Sequence, residues 1–327
     1  MIDNDKLKEI GRHFDNLGHN AQVIGENDTF KFHCTQCGRC CMNRTDIQLN
    51  PFDIYNAAKY LGISCREFIM ENCTITFGQY SKIPMVLLKP KENGYCPFLK
   101  LDVKDGCKFK CTINPAKPGV CSNHPIGVAI TIDSTTGDMR KDETSYIKVE
   151  QCANSKSNEE HVVKDWVKPY TDNIDDINLA HKIQTLPTVF DCRSFYLLCR
   201  FIAEPYLNHP EKLVREDNEE QDKSFFELFI ELSKQYFIST CSLGYSNYDI
   251  NKPFKEQAEH VIEELTALYK SLDTVYRHVE DKFIKYGVLE DEDGNKYSSL
   301  KDFLNDMFPD ESEYPTLNDN KEEEEHE

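Results

Sequence analysis

The sequence predicts an α+β protein: a small mixed, cysteine-rich unit over residues 1–155, an all-helical domain over 156–315 and an acidic tail over 316–327. Three observations carry this reading. The cysteines that fall into groups lie between Cys34 and Cys152. Period-two apolar alternation is interleaved there with short capped helices, and helical periodicity takes over after Ser157.

Element by element, Leu7, Ile10, Phe14 and Leu17 recur at helical spacing, so an amphipathic helix over 4–17 opens the chain. Phe30, Phe32 and Cys34 alternate and predict a strand that delivers the chain into FHCTQCGRCCMN at 32–43. Asn50 as cap, Pro51 at the first position and Asp53 in the first turn predict a helix that Gly62 ends. Ser64 and Glu67 have capping-box spacing for a second helix. IPMVLL, GVAITID and TSYIKVE read as strands, the last two joined in a hairpin around STTGD. Beyond the polar stretch ANSKSNEE, where Ser157 and Glu160 form a further capping box, helices are expected over 158–169, 175–186, 190–207, 222–239, 253–283 and 298–308. The closing KEEEEHE is a solvated charge run.

A length of 327 residues suits about two domains. No run approaches the roughly 18 apolar residues a spanning helix needs, and MIDNDKLKEI carries charges where a signal peptide is apolar. A cytoplasmic location with no membrane partner is expected. The balance of 57 acidic against 38 basic residues, net −19, disfavours a surface built to neutralise phosphates, so no nucleic-acid partner is expected. GxGxxG and GxxxxGK[ST] are both absent, and the CxxxCxxC spacing of radical S-adenosylmethionine enzymes fails because Arg44 stands three beyond Cys41.

Cytosolic thiols are held reduced, so 14 cysteines read as metal ligands or redox groups rather than as a disulfide framework. The candidate metal ligands are Cys34, Cys37, Cys40, Cys41, Cys96, Cys107, Cys111, Cys121 and Cys152. The two-residue gaps between Cys34, Cys37 and Cys40 are those of ferredoxin-type loops, whose fourth ligand is remote and precedes a proline, as Cys96 precedes Pro97. Such pairs also build four-thiolate zinc sites. An iron–sulfur cluster is favoured by the three-cysteine loop, with zinc as the alternative. On an extended backbone Cys40 and Cys41 would point in opposite directions and serve different centres, or one would only support the other. The nine thiols could fill two four-ligand sites with one to spare. Thiolate charge around a metal needs cations nearby, and Arg39, Arg44, Lys104, Lys108, Lys110 and Lys117 supply them. Cys65, Cys73, Cys192, Cys199 and Cys241 are scattered singly and read as small core residues. His124 is a spare ligand or a residue bonded locally. Massed thiols favour ligands over a Cys37 or Cys41 nucleophile paired with His33 or His124.

The stretches FHCTQCGRCC at 32–41, YCPFL at 95–99 and CTINPAKPGVCSNHP at 111–125 resemble the zinc- or iron-chelating CxxCxxCC family, the YkgJ-type cysteine-cluster proteins, some of which are called flagellin lysine N-methylases. The likeness covers residues 30–155 and departs at Lys117 and Ser122, where the family has arginines. Lysine keeps the charge but not the planar donor fork, and serine loses both. The resemblance implies a metal-binding protein, alternatively an iron–sulfur-dependent protein lysine N-methylase or oxidoreductase. The helical domain is then expected to supply a surface for a protein partner or substrate.

Overall fold

A computed structural model describes residues 21–149 except 79–80, 105 and 134, residues 157–208, and residues 231–308 except 232, 235, 286–287, 291–293 and 295. The expected helix over 4–17, Cys152, the first part of the expected helix over 222–239 and the acidic tail lie outside the described residues. The architecture is mixed. In chain order the elements are β1 (Ala21–Ile24), β2 (Thr29–Lys31), β3 (Gln48–Leu49), α1 (Pro51–Leu61), α2 (Cys65–Asn72), β4 (Cys73–Phe77), β5 (Pro84–Leu88), β6 (Leu99–Asp102), β7 (Lys108–Cys111), α3 (Gly119–Asn123), β8 (Ile126–Ile132), β9 (Met139–Val149), β10 (Glu160–Val162), α4 (Val163–Thr171), α5 (Ile174–Val189), α6 (Cys192–Asn208), α7 (Phe254–Lys285) and α8 (Leu300–Met307).

The described residues divide into two compact units. Of the described residues, the first draws on those within 21–76, 85–149, 157–185 and 244–261, the second on those within 77–84, 186–208, 231–243 and 262–308.

In the first unit the caps act as expected. Asn50 Oδ1 accepts from Asp53 N at 2.8 Å while Asp53 Oδ2 accepts from Asn50 N at 3.1 Å, and Gly62 closes α1 in the left-handed region at φ 70°. Ser64 and Glu67 form the second reciprocal cap, on α2. Buried Leu49, Ile54, Ala57, Ala58, Phe68 and Val86 lie on α1, α2 and the sheet ordered β3-β5-β4, in which β3 and β5 run antiparallel. A three-stranded antiparallel sheet, ordered β1-β9-β8, contains the expected hairpin. A separate cluster of Ile24, Phe30, Phe32, Ile126, Val163 and Val167 packs between these strands and α4, with Trp166 against it.

Two expectations need correction. The helix expected from 158 begins only at Val163, because Glu160–Val162 form β10 and pair with β2, Glu160 opposite Lys31. The edge amides of β2 need acceptors, and Phe32 N takes Glu159 O at 3.0 Å. Ser157 Oγ therefore accepts from Glu159 N rather than capping a helix. The pair β6–β7 was unforeseen, although Asp105-Gly106 between them is a hairpin signal.

The second unit is helical over most of its described residues. Leu197, Leu198, Tyr236, Leu265, Tyr269, Leu272, Leu300 and Leu304 form its interior. Cys192 and Cys199 are buried there, and Cys65 in the first unit, as core thiols.

Candidate metal centre

Cys40 and Cys41 lie in a single 3-10 turn over Arg39–Cys41, entered through Gly38 at φ 75°. Gly38 is required twice over: its backbone is left-handed, and a Cβ there would stand 2.9 Å from the Phe109 ring. A 3-10 turn rotates successive side chains by about 120°, not the half-turn of a strand. The two sulfurs consequently sit 3.8 Å apart, not on opposite sides as an extended backbone would place them.

Three further segments bring thiols to this turn. Cys96 N donates to Cys41 O at 2.8 Å, beside the isolated bridge Met42–Tyr95, so the Cys96-Pro97 segment is held against the turn by its backbone. Cys111 ends β7 opposite Leu99, with Thr112 N donating to Phe98 O at 2.9 Å. Cys121 stands in the middle of α3.

The protonation of these thiols is mutually linked. The Cys41 thiol donating to Cys40 pulls Cys40 down, helped by Arg44 and Lys117. The same bond, then burial, then the charges of Cys40, Cys96 and Cys121 push Cys41 up. Burial pushes Cys121 up to about 12, with Cys96, Asp53, Cys111 and Cys40 acting in the same sense. Burial also raises Cys96, against Lys91, and Cys111, against Lys117. Cys40, Cys41, Cys96, Cys111 and Cys121 are thus brought within electrostatic reach of one another. Cys34, Cys37 and Cys107 are exposed, as is Cys40 of this group.

Of the expected cations, Arg44 and Lys117 act on the group. Lys91 acts too, though it was not singled out. Arg44 is itself steadied by a two-pronged bond to Asp46. Lys110 instead pairs with Asp102 at 2.9 Å. His124, just past α3, has a buried Nε2 with no hydrogen-bond partner, and its ring meets the Phe32 ring edge-on at 6.0 Å. Burial, with Arg44 and Lys117, holds this imidazole neutral, the state in which it can ligate a metal.

Among the described residues all cysteines are free, and no three His, Cys, Asp or Glu side chains are already drawn into metal-binding geometry. The donor set nevertheless fits a metal. Cys41, Cys96, Cys111 and Cys121 are pushed up, Cys40 is pulled down, and Arg44, Lys117 and Lys91 stand near the group. A soft cation coordinated by these thiols would let them ionise together.

Sequence reading passed over Asp53 as anything beyond a helix-start acid. Its Oδ1 accepts from Gly119 N at 2.9 Å, joining α1 to α3. Only tertiary structure reveals this, since the two residues are 66 positions apart.

No curated protein and no solved structure matches the chain. Residues 33–153, which hold every thiol of this group, match the CxxCxxCC family model, described as "Putative zinc- or iron-chelating domain", the family that the cysteine motif resembles.

Proposed function

We propose that this chain is a metal-binding protein in which four thiolates drawn from Cys40, Cys41, Cys96, Cys111 and Cys121 hold one tetrahedral zinc or iron ion. The observation that carries this is the gathering of five thiols from four separate segments, two of them 3.8 Å apart. Two sulfurs on one tetrahedral ion, each bonded at about 2.3 Å, are separated by about 3.8 Å. The pair therefore matches one edge of a mononuclear site. When bound, such an ion supplies the positive charge that lets these thiols stay ionised in a partly buried place. The chain's own contribution is to present the sulfurs on a turn, a hairpin and a helix, with Arg44 and Lys117 offsetting the remaining negative charge.

An iron–sulfur cluster, and with it the lysine N-methylase or oxidoreductase reading that the resemblance implies, would draw on the loop thiols Cys34 and Cys37. The 3.8 Å separation of the Cys40 and Cys41 sulfurs, one edge of a mononuclear site, favours the single ion. Metal analysis and absorbance of protein purified without oxygen test this. Colourless protein with one zinc per chain, or a single thiolate-bound iron without sulfide, supports the single ion. Brown protein with iron and acid-labile sulfide supports the cluster. Protein that takes up neither zinc nor iron overturns the metal reading.

A further inference from the structure

We propose that Asp53 is a positioning residue of this centre: its carboxylate clamps the first turn of α3 to α1 and so fixes where Cys121 presents its sulfur. The proposal rests on the metal site above.

Asp53 is buried, 8% exposed, yet both its oxygens are used. Oδ2 accepts from Asn50 N at 3.1 Å, as a helix cap requires. Oδ1 accepts from Gly119 N at 2.9 Å, a bond that capping does not need. Gly119 opens α3, and Cys121 follows two residues later. The short helix must be held from outside, because five residues cannot hold themselves helical without tertiary support; at its far end Trp166 Nε1 donates to Asn123 O at 3.0 Å, and at its start the Asp53 bond does the holding. On its other side Gly119 is pressed against the Tyr170 ring, where a Cβ would stand only 2.2 Å away. The carboxylate and the ring thus grip the same residue, and Cys121 is carried in that grip.

Activation of the thiol is not the role of this carboxylate. Its charge opposes ionisation of Cys121, and its own carboxyl is pushed up to about 6 by burial despite two N–H donors. What Asp53 gives the site is geometry, in the way outer residues orient metal ligands.

The test uses the full-length chain and zinc affinity, measured by competition with a chromophoric chelator. Asp53→Ala should weaken zinc binding by about 10–100-fold, the usual effect of losing an orienting partner. Asp53→Ser, polar but too short to reach Gly119 N, should do the same and serves where the alanine variant does not fold. Asn50→Ala also breaks the cap but leaves the Gly119 bond, so its affinity should fall far less than that of Asp53→Ser. Asp53→Asn, which keeps an oxygen for Gly119 N, should restore binding. In the cobalt(II)-loaded Asp53→Ser protein, thiolate-to-metal charge-transfer intensity should fall by one sulfur's share, a change that mere destabilisation would not produce. Undiminished affinity in Asp53→Ser, or an equal loss in Asn50→Ala, overturns the clamp while leaving the metal site standing. A parent protein that binds neither zinc nor iron overturns the site reading itself and the clamp with it.

Discussion

The Cys40 and Cys41 sulfurs, 3.8 Å apart, are the tightest thiol pair among the described residues, and the value of each partner thiol can be ranked from there. Structural zinc contributes about 10–16 kcal/mol over four ligands, so one thiolate is worth about 3 kcal/mol, on the order of a hundredfold in affinity. Cys96→Ser is therefore expected to lower zinc affinity on the order of a hundredfold by chelator competition. Cys37→Ser should bind nearly as the parent does, since that thiol is not one of the five proposed ligands. Cys192→Ser should leave metal content unchanged and cost stability instead, because it places a hydroxyl at a core position only 2% exposed. A Cys37→Ser protein without metal would show that the loop supplies one of the four ligands and that they are not drawn from these five thiols alone.

At the scale of elements, the site depends on short pieces held by single residues. Gly119→Ala drives a methyl group against the Tyr170 ring and should cost about 1–3 kcal/mol in a denaturant melt, as overpacking does. It should also lower zinc affinity, because α3 must shift. Gly62→Ala is the comparison: its φ is positive, at 70°, and nothing lies within 4 Å of the added Cβ. Only the left-handed backbone then costs, about 1–2 kcal/mol, and zinc affinity should be unchanged. Equal effects of the two alanines on zinc would separate α3 from the metal site.

For the whole molecule, the division into two compact units makes metal removal informative. Every proposed ligand lies in the first unit. A chelator should lower the melting of that unit, read through hydrogen exchange in β6, β7 and α3, while leaving exchange in α6 and α8 as before. An equal response of both units would mean that they unfold as one. The boundary expected at 155/156 is open to a fragment test. Val163 and Val167 on α4 are buried against Phe30, Phe32 and Ile126, so a fragment of residues 156–315 would bare them. Each buried side chain of this kind is worth about 1.5–3 kcal/mol. We expect α6, α7 and α8 to stay protected in that fragment and α4 to lose protection. Full protection of α4 would support residues 156–315 as one self-sufficient domain.

What the sequence by itself determined was local. Asn50 with Asp53 and Ser64 with Glu67 announce two helix starts, because capping uses side chains within four residues of one another. The β8–β9 hairpin and the long α7 were legible for the same reason, as alternation and periodicity are properties of neighbours in the chain. The cysteine motif likewise identified the segment that matches a zinc- or iron-chelating family. Tertiary structure decided what spacing could not. It placed Cys96, Cys111 and Cys121 within electrostatic reach of the Cys40–Cys41 turn, and turned residues 160–162 into a strand because β2 had amides to satisfy. It also joined Asp53 to Gly119 across 66 residues. Convergence of side chains from distant segments depends on how the elements pack, and that energy is shared among residues that no local pattern brings together.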